Sequence, residues 1–360
     1  MNINIVLIFL LLIITLISKL FSNKDTSIPN TLFSTGIIFV LSGVSQIDEG
    51  LFEIIARYLG FEISGNEGPY WIRSVIGIVF IFFGVFLSRR NTHILNMHGI
   101  FVQKDIDCPN YLKNLKLSQY KIKEQVIDFV DVFNAQEKMD KTRNDIICNS
   151  IKKSATKFSD INAENRSACF TGMAPIPYTV LAGTYLGDAH INRYFEYYSK
   201  NDTYYELKKH CLIKKWDELK LSLPKKMKTD SKEIILAISI THAISNNDLS
   251  QFSLDVVHLY LDEPSDNAIT YKAQLDDYKD TIFKYIENEL MEEYPQLETI
   301  HIVASIPSCV SLEIGKCFAF RTNRLCDVIV YHYESSASPK YTFGLYVLGD
   351  KKGALIINGE

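Results

Sequence analysis

The sequence predicts an N-terminal transmembrane α-helical bundle followed by an α/β domain with mostly parallel sheets. Two observations lead to this prediction. The composition changes near residue 90, because the part before it is apolar and the part after it is rich in Lys, Asp, Glu and Tyr. Beyond residue 118, short apolar runs alternate with helical patterns, which is typical of a mostly parallel sheet. We therefore divide the chain into transmembrane helices (residues 1–90), a linker (91–117) and an α/β domain (118–360).

Three apolar runs in the first 90 residues predict three membrane-spanning helices. A span needs about 20 apolar residues, with about 17 as the lower limit. For the first run the alternative is a cleaved signal peptide, but the basic start and the small-residue cleavage site of such a peptide are missing. The third run begins with Tyr70 and Trp71 and is followed by Arg89 and Arg90, as expected of a helix that crosses two interfaces. The predicted spans are at about residues 3–20, 32–47 and 70–88.

The charges between the runs predict the orientation. Lys19 and Lys24 follow the first run, and Arg89 and Arg90 follow the third. The connection between the second and third runs carries Asp and Glu against the single basic residue Arg57. The positive-inside rule then predicts a multi-pass membrane protein whose C-terminal domain is cytoplasmic.

Two pairs of glycines in the apolar runs have the same spacing. Gly36 and Gly43 are seven residues apart, and so are Gly77 and Gly84. Seven residues are nearly two helical turns, so each pair lies on one stripe of its helix. The stripes either allow another helix to approach closely or reflect the general frequency of Gly in membrane helices.

The α/β domain is predicted from runs that end at small residues or prolines. Before them, residues 118–157 have helical spacing and predict one long helix or two consecutive helices. A helix is also predicted over Tyr271–Met291. The predicted strands are Ser167–Phe170, Glu233–Ile240, Asp255–Leu261, Thr299–Ala304, Asp327–Tyr333 and Tyr341–Leu348.

The composition of the α/β domain excludes several classes of function. The first 90 residues contain 6 basic and 6 acidic residues, so the net charge of −4 belongs to the rest of the chain. Such a charge does not provide the field that holds long DNA or RNA nonspecifically. The seven cysteines include no C-x-x-C pair and the eight histidines are scattered, so we predict reduced thiols and no metal site.

The sequence lacks the signatures of the common catalysts. Gly315 and Lys316 resemble the end of a P-loop, but Val310 stands where the first glycine of that motif would be. There is no G-x-S-x-G and no H-E-x-x-H. We therefore predict a binding domain that is not an enzyme and needs no cofactor.

Three turns that follow predicted strands are the candidate ligand site. In open α/β sheets, ligands bind at the carboxyl ends of the strands, where backbone N–H groups face outward. Pro175, Pro177 and Pro307 serve either this site or simply as stops before helices, and His242 is either a ligand contact or a packed or capping residue. The candidate residues in the turns are Met173, Ala174, Pro175, Ile176, Thr241, His242, Ser305, Ile306 and Pro307.

Several segments in both halves of the α/β domain carry a family likeness. Residues 171–178 (TGMAPIPY), 183–188 (GTYLGD) and 194–198 (YFEYY) resemble the first half of SAVED domains, and residues 299–308 (TIHIVASIPS), 311–316 (SLEIGK) and 328–333 (VIVYHY) resemble the second half. The resemblance covers about residues 118–360. It implies two fused CARF-like (Rossmann-like) units that serve as a cyclic-oligonucleotide receptor in the bacterial anti-phage systems called CBASS.

The resemblance implies a membrane-embedded effector. Its cytoplasmic domain would bind a cyclic di- or trinucleotide made by a partner cyclic-nucleotide synthase, form a homo-oligomer, and disrupt the lipid of the bacterial inner membrane. Lys316, Arg321 and Arg324 would contact phosphates or lie on a solvated surface, and Tyr178 and Tyr185 would stack on bases or pack in the core. The alternatives are a membrane-anchored nucleotide-processing enzyme and a membrane adaptor without a ligand.

Overall fold

The chain divides into two compact units, Met1–Asn91 and Thr92–Glu360, and each is described by itself. The predicted span at 3–20 lies outside the described residues, as do most of the span at 32–47 and the end of the linker. The computed structural model describes residues 32–33, 35–37, 39–40, 70–88, 91–99, 121–133, 138–162, 168–198, 200, 203–209, 216–224, 229–319 and 326–357.

In the first unit, helix α1 (Tyr70–Ser88) packs against the helical residues described between 32 and 40. The contact is made at two glycines, because a Cβ atom on Gly36 would lie 2.7 Å from the carbonyl oxygen of Gly77. A Cβ atom on Gly77 would in turn lie 2.5 Å from the carbonyl oxygen of Gly36. Close packing at the glycine stripe is therefore confirmed for these two residues.

The predicted transmembrane bundle requires a correction. In α1 the side chains are described from Ser74 to Phe86, and across the described chain no helix combines the length and the apolar character that a membrane crossing demands. This finding contradicts the N-terminal transmembrane helical bundle and, with it, the multi-pass inner-membrane location. The prediction rested on apolar runs, and such runs also suit helices that pack against other helices, as α1 does at Gly77.

The second unit contains a five-stranded sheet. Its strands are β1 (Asn91–His98), β2 (Lys121–Asp128), β3 (Ala168–Met173), β4 (Arg193–Tyr198) and β5 (Thr203–Glu206), in the order β2-β1-β3-β4-β5. Strands β1, β3 and β4 are parallel, and β5 is antiparallel to β4. The carboxyl ends of the three parallel strands therefore lie at one edge of this sheet.

The second unit also contains a seven-stranded sheet, in the order β12-β11-β10-β9-β7-β8-β6. Strands β8, β7, β9 and β10 are parallel neighbours, whereas β6, β11 and β12 pair antiparallel. The carboxyl ends of the four parallel strands lie at one edge of the sheet, where a ligand site can form. The strands are β6 (Lys220–Ser222), β7 (Glu233–Ser239), β8 (Asp255–Tyr260), β9 (Thr299–Ser305), β10 (Asp327–Tyr333), β11 (Tyr341–Leu348) and β12 (Leu355–Ile357).

Helices join the two sheets into one hydrophobic core. That core contains buried residues of both sheets, such as Phe170 and Ile302, together with helical residues such as Leu181 and Leu312. A π-helical segment, Tyr285–Leu290, directly follows the helix Lys272–Lys284. The helices of this unit are α2 (Lys141–Asn162), α3 (Ile176–Leu186), α4 (Asn246–Leu249), α5 (Lys272–Lys284), α6 (Met291–Glu293) and α7 (Ser308–Ala319).

Helices α3 and α7 cross at one glycine from each. A Cβ atom on Gly183 would collide with the carbonyl oxygen of Leu312, and a Cβ atom on Gly315 would collide with that of Val180. Gly183 and Gly315 occupy the same position in their helices, as do Val180 and Leu312. The reciprocal contact relates the two strand–turn–helix segments by an approximate two-fold axis.

Most of the predicted elements of the α/β domain are present, with three corrections. Residues 91–98, predicted as linker, form β1, because their backbone pairs in parallel with that of β3. Residues 121–128, predicted as helical, form β2, and the helix begins only at Lys141. The sheets are mixed rather than mostly parallel, because antiparallel strands are added at the edges of both.

Candidate functional site

The structure brings the three candidate turns together at the carboxyl ends of the parallel strands. Met173–Ile176 follows β3, Ile240–Ala243 follows β7 and Ser305–Pro307 follows β9. The hydroxyl of Ser308 donates to the carbonyl oxygen of Gly172 at 2.7 Å, which joins the end of β9 to the end of β3. We name these three turns the carboxyl-edge cluster, and both sheets contribute to it.

Ser305 connects two turns of the cluster. Its carbonyl oxygen accepts the backbone N–H groups of Ile240 and Thr241, each at 2.9 Å. Its hydroxyl lies 2.8 Å from the hydroxyl of Thr241 and accepts the backbone N–H of His242 at 3.2 Å. The position of the His242 side chain is therefore set by hydrogen bonds to the neighbouring strand.

The exposed surface of the cluster carries a charged group of three residues. His242 is 72% exposed, and its Nε2 lies 3.3 Å from Oδ1 of Asp266. The other oxygen of that carboxylate, Oδ2, is 3.2 Å from Nζ of Lys200. Lys200 follows β4 of the five-stranded sheet, whereas His242 follows β7 of the seven-stranded sheet. We call this exposed surface, formed by Lys200, His242 and Asp266, the mouth of the cluster. A ligand at the mouth would meet two nitrogen groups from different sheets.

A buried carboxylate lies beneath the Ser305–Pro307 turn. Glu196, on β4, accepts the backbone N–H of Cys309 at 2.7 Å, in the first turn of α7. Burial raises the pKa of Glu196 to about 7, and the hydrogen bonds from Cys309 and Ser308 oppose that rise only in part. Burial and the neighbouring Glu196 together raise the pKa of the Cys309 thiol.

The helix N-termini of the cluster have few free N–H donors. In α3, Pro177 has no N–H and the N–H of Tyr178 bonds to the carbonyl oxygen of Pro175 at 3.0 Å. In α7 the N-terminus is occupied by Glu196. The sequence predicted that outward-facing backbone N–H groups would form the site. In the structure the N–H groups of Tyr178 and Cys309 already have acceptors within the protein. The side chains at the mouth are the more available donors.

Two of the aromatic and basic candidates lie away from the mouth. Tyr178 is fully buried, and its hydroxyl donates to Oδ1 of Asn144 at 3.0 Å, so it packs in the core. Lys316 lies about 12 Å along α7 from Ser308, and its Nζ is 2.8 Å from Oε1 of the buried Glu313. Lys316 therefore neutralises a carboxylate within the core.

The remaining candidates have varied positions. Tyr185 lies at the far end of α3 from the cluster, with Nζ of Lys352 4.1 Å above its ring. Arg321 and Arg324 lie outside the described residues. Within the cluster, Met173, Ile176, Thr241 and Ser305 are half-buried, whereas Ala174, Pro175, Ile306 and Pro307 are buried.

A serine and a histidine are also hydrogen-bonded near the cluster. The hydroxyl of Ser239 lies 2.8 Å from Nε2 of His258 and also accepts the backbone N–H of Ile244 at 3.0 Å. Ser239 is only 1% exposed. This pair therefore fastens the Ile240–Ala243 turn to the end of β7 and does not present a nucleophile. Among the described residues, no group of His, Cys, Asp or Glu could hold a metal ion.

Sequence reasoning missed Lys200, Asp266, Glu196 and Ser308. Lys200 and Asp266 lie in irregular segments after strands, and no periodicity marks such positions. Glu196 stands in the apolar run of β4, and a carboxylate within a buried strand was a signal that could have identified it. Ser308 directly follows the predicted Pro307 turn and could have been found as the first residue of a helix.

Comparison with known proteins places this geometry in a family. Residues 151–347, just over half of the chain, match the model of the SAVED family, described as the SMODS-associated and fused to various effectors sensor domain. No curated protein matches the sequence. The family match confirms the resemblance that the sequence motifs indicated.

Similar solved structures include the Acinetobacter baumannii Cap4 SAVED/CARF-domain containing receptor. Its complex with the cyclic trinucleotide 2′3′3′-cAAA has 16% sequence identity and a TM-score of 0.43, and the match covers 85% of this chain and 60% of that chain. Its complex with 3′3′3′-cAAA has 14% identity and a TM-score of 0.42, and the match covers 89% of this chain and 82% of that chain. The chain thus spans less than two thirds of the first structure and more than two thirds of the second.

Proposed function

This chain belongs to the SAVED family, and we propose that it is a receptor for a cyclic di- or trinucleotide in a CBASS anti-phage system. The family model describes a sensor domain, and a sensor needs a site that one small ligand can span. The observation that supports this role is the carboxyl-edge cluster, where the hydrogen bond between Ser308 and Gly172 joins turns of both sheets. A ligand seated there would contact both halves of the domain at once.

The charges at the mouth suit a small anionic ligand. His242 and Lys200 provide nitrogen groups from two sheets, and Asp266 holds them in position. A phosphate that approaches this group would compete with Asp266 for both nitrogens. A domain of negative net charge can bind a small anion in this way, because local donors rather than the overall field determine the affinity.

Ligand binding changes the state of the protein only if the two states differ in affinity. We propose that the receptor forms a homo-oligomer when the cyclic nucleotide binds, and that a cyclic-nucleotide synthase supplies the ligand. The receptor acts by binding and not by cleavage, since Ser239, the serine paired with a histidine, is buried. The nucleotide should therefore be recovered intact after incubation with the protein, as judged by chromatography.

Binding can be tested with a panel of nucleotides on the full chain. We expect 3′3′3′-cAAA, 2′3′3′-cAAA or a cyclic dinucleotide to raise the melting temperature, because a ligand that prefers the native state stabilises it, whereas linear nucleotides should not. Light scattering on the same samples would report self-association. If no cyclic nucleotide changes the melting temperature at millimolar concentration, the receptor role is wrong.

Two variants test the location of the site. Ala243→Trp places a large side chain in the Ile240–Ala243 turn at an exposed position, so the fold should be retained. His242→Ala removes one of the two nitrogen groups at the mouth. Both should weaken binding of the active nucleotide about tenfold or more. In Ala243→Trp the large side chain occupies space at the turn, and in His242→Ala a charge-assisted hydrogen bond is lost, which contributes about 1.5–3 kcal/mol.

His190→Ala is the matched control for these variants. His190 is also exposed, but it follows α3 and lies before β4, away from the carboxyl ends of the strands. Its replacement should leave the affinity unchanged. Equal affinities in the parent, in Ala243→Trp and in His242→Ala would show that the nucleotide binds elsewhere.

A further inference from the structure

The turn between β11 and β12 holds a lysine in an unusual environment. Nζ of Lys352 lies 4.1 Å above the ring of Tyr185, at the C-terminal end of α3. Lys352 is half-buried, and the charge of Lys152 on α2 acts on it. In the part of the chain that the structure describes, Lys352 has no carboxylate partner. Among the described residues, the charge of Lys352 is therefore not balanced by a direct contact with a carboxylate.

The backbone of this turn is held in place by contacts with α2. The carbonyl oxygen of Gly353 accepts a hydrogen bond from Nδ2 of Asn144 at 2.9 Å, and the thiol of Cys148 lies 3.8 Å from the same oxygen. Gly349 and Gly353 have positive φ angles of 98° and 89°, which close the turn. The turn is thus anchored on α2 at both Asn144 and Cys148.

We propose that Lys352 and Lys152, beside Tyr185, form a binding site for a phosphate group. The site lies away from the carboxyl-edge cluster, because β11 ends beside Val328, near the start of β10, and Tyr185 lies about 13 Å along α3 from Ile176. It is therefore separate from the cluster of the proposed function. The phosphate could belong to a free compound such as pyrophosphate or to the cyclic nucleotide itself.

The protonation of Lys352 supports this site. Lys152 lies one helical turn after Cys148, on the face of α2 that contacts this turn. Burial and the charge of Lys152 lower the pKa of Lys352 to about 8. The other titratable groups that face this region are the thiol of Cys148 and the hydroxyl of Tyr185, and burial raises the pKa of both, so both are neutral at pH 7. Asp145 acts on Cys148 and is the carboxylate nearest to it in the same helix.

A bound phosphate would replace the missing negative charge, and linkage then gives the sign of the pH dependence. Because the phosphate favours the protonated lysine, binding should raise the pKa of Lys352, and affinity should fall as the pH rises through 8. Tyr185 would position the lysine stem and its ammonium group by the cation–π contact.

Pyrophosphate is a suitable probe, and calorimetry on the full chain at pH 7 and pH 9 would measure its affinity. Lys352→Met keeps an unbranched apolar stem over Tyr185 but removes the charge, so we expect about tenfold weaker binding at pH 7. Lys351→Met is the matched control, because Lys351 also lies over a ring, that of Tyr346 at 5.5 Å. Lys352→Arg should retain most of the affinity.

The arms of the experiment separate this site from the carboxyl-edge cluster. His242→Ala should weaken only the pyrophosphate that binds at the carboxyl-edge cluster, and Lys352→Met only the pyrophosphate that binds at this site. If Lys352→Met weakens pyrophosphate but not cyclic trinucleotide, the site takes free phosphate compounds, and if it weakens both, the cyclic nucleotide uses it. Equal pyrophosphate affinity in folded Lys352→Met and Lys351→Met, or an affinity that does not fall between pH 7 and pH 9, would overturn the site.

Discussion

The carboxylate of Glu196 accepts the backbone N–H of Cys309 at 2.7 Å, so a strand of the five-stranded sheet caps a helix that follows the seven-stranded sheet. The capped helix begins directly after the Ser305–Pro307 turn. The hydrogen bond therefore ties the position of that turn to β4, and Lys200 follows the carboxyl end of the same strand. Through Glu196, the two halves of the domain are coupled beneath the candidate ligand site.

Glu196 should make the stability of the domain depend on pH. Its pKa is about 7 in the folded protein against an ordinary value of 4.5, so the folded state binds the proton more tightly than the unfolded state. This contribution is fully present below pH 4.5 and is lost as the pH rises through 7, by about 3 kcal/mol in total. Urea unfolding of the parent should therefore show this loss of free energy of unfolding between pH 4.5 and pH 8.

Glu196→Gln tests this assignment, because the amide oxygen still accepts the Cys309 N–H but does not titrate. The loss of stability between pH 4.5 and pH 8 should be smaller than in the parent by about 3 kcal/mol. Glu298→Gln is the control, since Glu298 is exposed and, among the described residues, its carboxylate pairs only with Lys232. A pH profile of Glu196→Gln that matches the parent would show that another group is responsible.

Replacement of either crossing glycine should destabilise the domain. Gly183→Ala and Gly315→Ala each place a Cβ atom against a backbone carbonyl of the other helix, which cannot turn aside. We expect a loss of about 2 kcal/mol for each, by urea unfolding, although Gly→Ala within a helix ordinarily gains stability. The double variant should cost less than the sum, because one Cβ atom already separates the helices. Fully additive costs would contradict the reciprocal contact.

Tyr178→Phe should lower stability without changing ligand affinity. The substitution removes the hydroxyl that donates to Asn144 in the core and leaves the ring in place. We expect a loss of about 1–2 kcal/mol in free energy of unfolding and the same affinity for the active nucleotide. Tyr333→Phe, at a site that is 41% exposed, is the control for stability. A loss of affinity with unchanged stability would restore Tyr178 as a base-stacking residue.

The elements that the sequence predicted best are those with continuous apolar runs. Asp327–Tyr333 and Tyr341–Leu348 were predicted with the bounds that β10 and β11 have. The strand β2 was mistaken for a helix because its apolar residues recur at helical spacing with those that follow, and only pairing within the sheet determines its conformation. The transmembrane bundle was predicted from apolar runs and from the aromatic and basic residues that flank them, and these features do not report what surrounds a helix.

The sequence predicted which turns come together at the candidate site, whereas the place where a ligand binds stays a prediction. The rule that ligands bind at strand ends led to Thr241, His242 and Ser305, and the structure brings these three together. Lys316 was chosen for its charge, but Glu313 precedes it by three residues in the same helix, and this spacing was a signal for the ion pair that the prediction overlooked. Lys200 and Asp266 were missed because they meet His242 only after the two sheets are assembled.

Ser305→Ala should weaken ligand binding more than it lowers stability. The hydroxyl of Ser305 contacts the hydroxyl of Thr241 and the backbone N–H of His242, so its loss frees the turn that presents the His242 side chain. We expect a loss of about 1 kcal/mol in free energy of unfolding, because the carbonyl oxygen of Ser305 still holds Ile240 and Thr241. Binding of the active cyclic nucleotide should weaken about tenfold, because the turn must then be ordered during binding.

Two further variants make this prediction specific. Ser305→Thr keeps a hydroxyl at the same position and should retain most of the affinity. Ser336→Ala removes an exposed hydroxyl that donates to Glu334, so neither stability nor affinity should change. Calorimetry with the active nucleotide, together with urea unfolding, measures both quantities on the same samples. If Ser305→Ala loses stability but binds as tightly as the parent, the hydroxyl serves the fold alone, and the ligand does not depend on the Ile240–Ala243 turn.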